Sequence, residues 1–228
     1  MRTRAASAAK LTLTKLGGRS PGSLVRGVRI ATGYLAVGEW VRRNNWSEAP
    51  RVPDRNAVFD AMIAQLEGDS VVYLEFGVHM GTSFKHWVER VKHPEAEFHG
   101  FDSFEGLPET FDAVYQAGHF DVGGKTPDID DPRVHWHVGW FEDTLPTFTV
   151  PVGKRLAITL DADLYSATKL VLATLDEHIV PGTLIYFDEL SRIDHEPAAF
   201  DDYRRTTGKK FEPVAFNNTL NHGAFVCR

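Results

Sequence analysis

The sequence predicts an α/β protein: a mostly parallel sheet with helices on both faces, closed by an antiparallel C-terminal strand. Three observations carry this. Short continuous apolar runs, the mark of strands buried on both faces, alternate with stretches of helical period. Turn signals follow the runs, several of which end in acidic residues. The stretches between runs are long enough for crossover helices, as βαβ units require.

In chain order, Met1–Pro21 is rich in Arg, Ser and Ala and has no acid. That composition resembles a transit peptide, but a secretory signal would need a continuous apolar stretch. Leu24, Val28, Ala31, Leu35 and Val41 then recur at about helical spacing among Arg26, Arg29, Arg42 and Arg43. Residues 1–50 are therefore expected to be a basic, helical N-terminal extension. Such a helix packs on the domain or on a second subunit, the preferred reading, or lies on an anionic membrane surface. Residues 51–228 are expected to be the main domain. Ala57–Leu66 reads as a helix with Val58, Met62 and Leu66 on one face and Gly68 beyond its end. Val71–Phe76 is the first strand, and a glycine turn leads into a helix over Ser83–Lys92. Phe98–Phe101, ending at Asp102, and Val134–Val138 are the second and third strands. Leu156–Leu160 is the fourth, ending at Asp161, with a helix over Ser166–His178 after it. Pro181-Gly182 turns the chain into the fifth, Leu184–Phe187, which ends at Asp188-Glu189. Ala198–Arg205 reads as a helix, and Pro213–Phe216 with Gly223–Cys227 make the closing antiparallel pair. Glu105–Pro132, which contains Gly106, Pro108, Gly118, Gly123, Gly124 and Pro127, shows no clear element. A loop of this length in a compact domain is a lid or a disordered segment.

Composition narrows the function classes. With 228 residues, 43% of them hydrophobic, the chain can build a core without disulfides or a structural metal. The single cysteine, Cys227, excludes a disulfide framework and a cysteine zinc cluster, and reads as a buried, inert thiol. A net charge of −6 argues against a general nucleic-acid binder. That charge is uneven, because residues 1–45 hold nine Lys/Arg against Glu39 alone. No apolar run approaches the ~20 residues of a membrane span, so stable membrane insertion is not expected.

The acids fall where ligands bind in an open α/β sheet, outside the carboxyl ends of the strands. Glu75-Phe76-Gly77-Val78-His79-Met80-Gly81 leads from the first strand into a helix. Gly77 allows a sharp turn and Gly81 a close approach. His79 stands where a pyrophosphate-binding fingerprint needs its second glycine, and there is no Gly-Lys-Ser/Thr loop. Asp102, at the end of the second strand, is placed to accept from both ribose hydroxyls, although it could instead only cap a turn. Together these features suit a ribose-bearing cofactor without a phosphate cradle, such as S-adenosylmethionine. Asp161, Asp163, Asp188 and Glu189 end two strands, and carboxylates so crowded repel unless a cation lies among them. An all-oxygen set suits a hard divalent ion, Mg²⁺ above all. The competing reading is that each acid caps the helix that follows it. His135-Trp136-His137 alternates as a strand does and reads as a satisfied or exposed pair rather than a ligand set. His195-Glu196 could add a contact beside Glu189, which loop polarity explains equally well, and Trp140-Phe141 could lie against an adenine ring, although an aromatic there more often belongs to the core.

Four ordered blocks resemble the macrocin O-methyltransferase (TylF-like) family. They are Tyr73-Leu74-Glu75-Phe76-Gly77-Val78, Phe101-Asp102-Ser103-Phe104-Glu105-Gly106-Leu107-Pro108, Gly139-Trp140-Phe141-Glu142-Asp143-Thr144-Leu145-Pro146 and Asp161-Ala162-Asp163-Leu164-Tyr165. The resemblance implies a Rossmann-like class I methyltransferase fold and transfer of a methyl group from S-adenosylmethionine to a sugar hydroxyl with divalent-metal assistance. It further implies metal ligands at Asp161, Asp188 and Glu189, a general base at Asp163, and cofactor contacts at Glu75, Gly77, Asp102, Ser103 and Trp140. The chain departs from the family pattern at Glu189, where an aspartate is usual. The expected partners are a small-molecule hydroxyl acceptor, a sugar by the resemblance, and a second copy of the chain, in the cytoplasm. A phenol or catechol acceptor, and a non-catalytic cofactor-binding module, are the alternatives.

Overall fold

The computed structural model describes residues 2–107, 116 and 118–228. Two helices lead the chain, α1 (Arg2–Gly17) and α2 (Gly22–Arg43). There follow β1 (Arg51–Val52), α3 (Arg55–Ala64), β2 (Val71–Phe76), α4 (Thr82–Arg90), β3 (Glu97–Asp102) and β4 (Val134–Val138). The remainder is α5 (Phe141–Thr144), β5 (Arg155–Leu160), α6 (Tyr165–Thr174), β6 (Leu184–Phe187), α7 (Glu196–Thr207), β7 (Phe211–Asn217) and β8 (Gly223–Cys227).

Every residue of β2 is buried. Its backbone polar groups must therefore be paired on both edges, and β3 and β5 flank it in parallel. The sheet order is β1-β7-β8-β6-β5-β2-β3-β4. Pairing is parallel except where β8 runs antiparallel between β6 and β7. The chain moves outward from β2 to β3 and β4, then returns past β2 to β5. The order thus reverses between β2 and β5, and ligands of such sheets bind at the carboxyl end of that junction.

One face of the sheet packs α3 and α4. Val58, Phe59 and Met62 meet Phe84, Trp87 and Tyr186 there, and the rings of Tyr73 and Trp87 stack 4.3 Å apart. The other face packs α6, α7 and the end of α2, where Val37, Trp40 and Val41 are buried with Trp46, Phe200 and Phe225. Gly33 of α2 passes so near Ser191 that a Cβ would stand 2.7 Å from its carbonyl oxygen.

Several boundaries differ from the expected ones for identifiable reasons. Helix α3 starts two residues early because the Asp54 side chain accepts from the Ala57 amide at 3.0 Å. Helix α7 starts at Glu196 because Pro197 suits a first turn, where its missing N–H is not needed. Helix α6 ends at Thr174, and a 3₁₀ turn, Asp176–His178, replaces the expected last turn. Strand β1 was not expected at all; two residues carry no periodicity, and only pairing with Phe216 and Asn217 defines it. In the long loop, Pro108 and residues 109–115 and 117 lie outside the described residues. The parts on either side are tied together: Leu107 N donates to His119 O, and Gly118 N to Leu107 O, each at 2.9 Å. No helix among the described residues is long and apolar enough to cross a membrane.

Candidate active site

The site begins at the β2 turn. Gly77 has φ +90°, and a Cβ there would stand 1.8 Å from the Asp161 carbonyl oxygen. Only glycine lets the ends of β2 and β5 approach this closely. Asp102, at the end of β3, braces the same turn. One carboxylate oxygen accepts from Val78 N at 2.7 Å and His79 N at 2.8 Å; the other accepts from Phe104 N at 2.7 Å. His79 and Phe104 both have positive φ, a conformation that these hydrogen bonds offset. The Ser103 hydroxyl accepts from Glu105 N at 3.2 Å and donates to Gly106 O at 3.4 Å, which holds the next turn.

The acids gather at the ends of β5 and β6. Asp188 Oδ1 accepts from the Tyr186 hydroxyl at 2.7 Å and lies 3.2 Å from His222 Nδ1. Arg55, in the first turn of α3, reaches between the two strand ends. Its guanidinium is 3.5 Å from Asp188 Oδ1 and 3.8 Å from Asp161 Oδ2. Burial alone would raise the Asp188 pKa, but His222, Arg55 and the Tyr186 hydroxyl outweigh it and hold the group below the usual carboxylate range. Asp161 goes the other way. Burial first, then the charges of Asp188, Asp163, Glu196 and Glu75, push it well above that range. Glu196 is wholly buried; one oxygen accepts from Glu189 N at 2.9 Å, and the other has no hydrogen-bond partner among the described residues. Burial and then neighbouring acids push it well up too. Arg192 Nε lies 3.7 Å from Glu189 Oε2.

A cavity of about 630 Å³ joins the two halves. Gly77, Asp102, Ser103 and Trp140 line one side, and Asp161, Asp163, Asp188 and Glu189 the other. Two expected residues stand behind the wall. Glu75 is wholly buried and accepts hydrogen bonds from the hydroxyls of Tyr73 and Ser83 (2.7 Å for Ser83). Gly81 faces the long loop, where a Cβ would meet Pro127 at 2.7 Å. Arg55 was missed by sequence reasoning, as were Tyr186 and His222 as supports of Asp188. No local pattern links Arg55 to an acid 133 residues away.

The profile of the Macrocin-O-methyltransferase (TylF) family matches residues 54–216. The chain belongs to this family. Two relatives share a shorter stretch. One is the 8-demethyl-8-(2,3-dimethoxy-alpha-L-rhamnosyl)-tetracenomycin-C 4'-O-methyltransferase of Streptomyces olivaceus, 38% identical over 78 residues. The other is the demethyldecarbamoylnovobiocin O-methyltransferase of Streptomyces niveus, 32% identical over 77 residues. Each match covers 34% of this chain and 29% of the relative, so less than a third of either relative is spanned. The crystal structure of CalS11, a calicheamicin methyltransferase, superposes with a TM-score of 0.61 at 20% identity. That superposition covers 96% of this chain and 91% of CalS11, and it shows that the macrocin family member has the class I methyltransferase fold.

Proposed function

We propose that the protein is an S-adenosylmethionine-dependent, divalent-metal-assisted O-methyltransferase acting on a hydroxyl of a sugar or glycosylated natural product. The observation that carries this is the single cavity in which the Asp102-braced glycine turn faces acids from two adjacent strand ends. The sugar acceptor is supported by the family and by the relative whose name specifies a rhamnosyl tetracenomycin.

In this reading Gly77, Asp102, Ser103 and Trp140 contact the cofactor, while Glu75 and Gly81 shape the turn behind it. Asp102 already accepts three N–H groups, so ribose hydroxyls would use its remaining lone pairs. Asp161, Asp188 and Glu189 would hold the ion. The donors fit a hard cation by type, because they are all oxygen, and Asp161 and Asp188 converge on one guanidinium; burial, and then the neighbouring acids, push the Asp161 carboxyl well above its usual range. Arg55 partly neutralises the group, but one guanidinium faces both Asp161 and Asp188. When bound, the cofactor supplies an electrophilic methyl and the ion makes an alcohol more acidic. Asp163 takes the hydroxyl proton onto its carboxylate, and Phe120 and Leu107 help to exclude water from the cavity. The reading includes a cytoplasmic location, where the cofactor is made, and a homo-oligomer, for which the exposed Leu24, Val28 and Leu35 of α2 offer an apolar face.

Methyl transfer to a sugar-bearing acceptor, followed by mass spectrometry, tests the proposal. EDTA should abolish transfer and Mg²⁺ restore it, while cofactor binding persists. Asp188→Asn should lose activity together with the Mg²⁺ response, although asparagine caps a helix well. Asp163→Asn should keep cofactor and ion and lose turnover. Full activity in EDTA, with Asp188→Asn near wild type, would overturn the metal assignment.

A further inference from the structure

The β3–β4 edge of the sheet carries a second set of ligating side chains, toward the amino ends of these strands and away from the carboxyl ends that border the cavity. Strands β3 and β4 are parallel neighbours, with His99 beside His135 and Phe101 beside His137. Side chains alternate along a strand, so Glu97 and His99 share one face with His135 and His137. The His99 and His135 rings stack with centroids 4.9 Å apart. One ligand atom from each of Glu97, His99 and His135 lies within 4.8 Å of the other two, the one such trio among the described residues.

His99 makes this more than a cluster of polar residues. It is 6% exposed, and its Nδ1 shares a 3.1 Å hydrogen bond with His137 Nε2. Its Nε2 is buried without a hydrogen-bond partner among the described residues and lies 3.4 Å from Glu97 Oε2. With the proton on Nδ1, Nε2 carries a lone pair beside the partly exposed Glu97 carboxylate, so a nitrogen and an oxygen ligand atom border one space. A cation there would engage both. Lys154 does not fill that place, because its Nζ donates to the other Glu97 oxygen and to Glu95 O. In a tetrahedral zinc site with bonds of about 2.0–2.1 Å, neighbouring ligand atoms stand about 3.3 Å apart. The Glu97–His99 separation already matches that edge.

We propose that Glu97, His99 and His135 form a divalent transition-metal site, suited to Zn²⁺, that ties the edge strand β4 to β3. Two imidazoles and one carboxylate are too nitrogen-rich for Mg²⁺ or Ca²⁺ and suit a borderline ion. Three protein ligands leave a fourth position for water. His137 holds the His99 ring through Nδ1, the supporting contact that ligating histidines commonly have. Burial first, then His135 and His137, pushes the His99 pKa down to about 4, so the ring is in its neutral, ligating form. None of the three ligands lines the carboxylate cavity, and the site stands whether or not the cavity holds a metal.

Untagged, metal-stripped protein would be titrated with ZnCl₂ by calorimetry in excess Mg²⁺, and with Co²⁺ by visible absorption. The expected result is one Zn²⁺ per chain and the absorption of four-coordinate Co²⁺. His135→Ala, at an exposed position, and Glu97→Gln should each weaken Zn²⁺ binding at least tenfold with an unchanged circular dichroism spectrum. Asp188→Asn should bind Zn²⁺ as the wild type does. No Zn²⁺ binding by the wild type, equal affinity in both β3–β4 variants, or loss of binding in Asp188→Asn would each overturn the site.

Discussion

Asp102 lines the cavity and Glu75 stands behind its wall, and their surroundings set these two acids opposite tasks. Glu75 is wholly buried, and burial, against the Tyr73 and Ser83 hydrogen bonds, pushes its pKa up to about 7. At pH values below the usual carboxylate range it is protonated in both folded and unfolded chains and has no effect on the slope. As the pH rises toward 7 the unfolded chain releases this proton while the folded chain keeps it, so stability falls. Above pH 7 the loss levels off at about 3 kcal/mol, the order expected for a shift of this size. Glu75→Gln removes this term, so its urea-unfolding free energy relative to wild type should improve between pH 4.5 and pH 8. A constant difference across that range would show that Glu75 ionises normally. Asp102 is instead held ready as an acceptor by three backbone N–H groups. Asp102→Ala should weaken S-adenosylmethionine binding by about 1.5–3 kcal/mol in calorimetry, because a charged hydrogen-bonding group is lost. Unchanged affinity would separate the carboxylate from the cofactor.

At the scale of elements, burial decided what could be read. β2, β5 and β6 are buried on both faces, and such strands appear in sequence as continuous apolar runs ending at the site. The acids at those ends were legible for the same reason, since a strand that stops at an acid fixes where the acid points. β1 was not legible, being two residues long, and neither was Arg55, which meets its acids only through the tertiary fold. The Glu97–His99–His135 trio was hidden as well. His135-Trp136-His137 alone reads as an alternating strand, and only the β3–β4 register brings Glu97 and His99 beside it. Helix α2 combines both cases: its period was visible, but the depth of its last turns was not. Trp40 is 1% exposed, donates from Nε1 to Asp201 at 2.9 Å and lies edge-on to Trp46. Trp40→Ala should therefore lower stability by about 3–5 kcal/mol. Removing residues 1–21, which contribute no buried side chain among those described, should leave the urea midpoint unchanged. Equal losses from the two changes would mean that α1 packs as tightly as the end of α2.

Across the whole molecule, the proposed ions sit at separate places on one sheet, and their effects on stability should be separable. A ligand that binds only the folded chain stabilises it by about 2.7 kcal/mol at a hundred times its dissociation constant. For a domain of this size that corresponds to a rise in Tm of roughly 5–11 °C. The Mg²⁺ contribution should act through the carboxylates of β5 and β6, and the Zn²⁺ contribution through β3 and β4. Sites without shared partners usually add, so the two ions together should raise Tm by close to the sum of their separate shifts. Asp188→Asn should lose only the Mg²⁺ part and His135→Ala only the Zn²⁺ part in thermal unfolding followed by circular dichroism. If Zn²⁺ instead cancels the Mg²⁺ shift, both ions compete for the cavity. A missing Mg²⁺ shift with a retained Zn²⁺ shift would place the resident metal at the sheet edge, and leave Arg55 as the cation that neutralises Asp161 and Asp188.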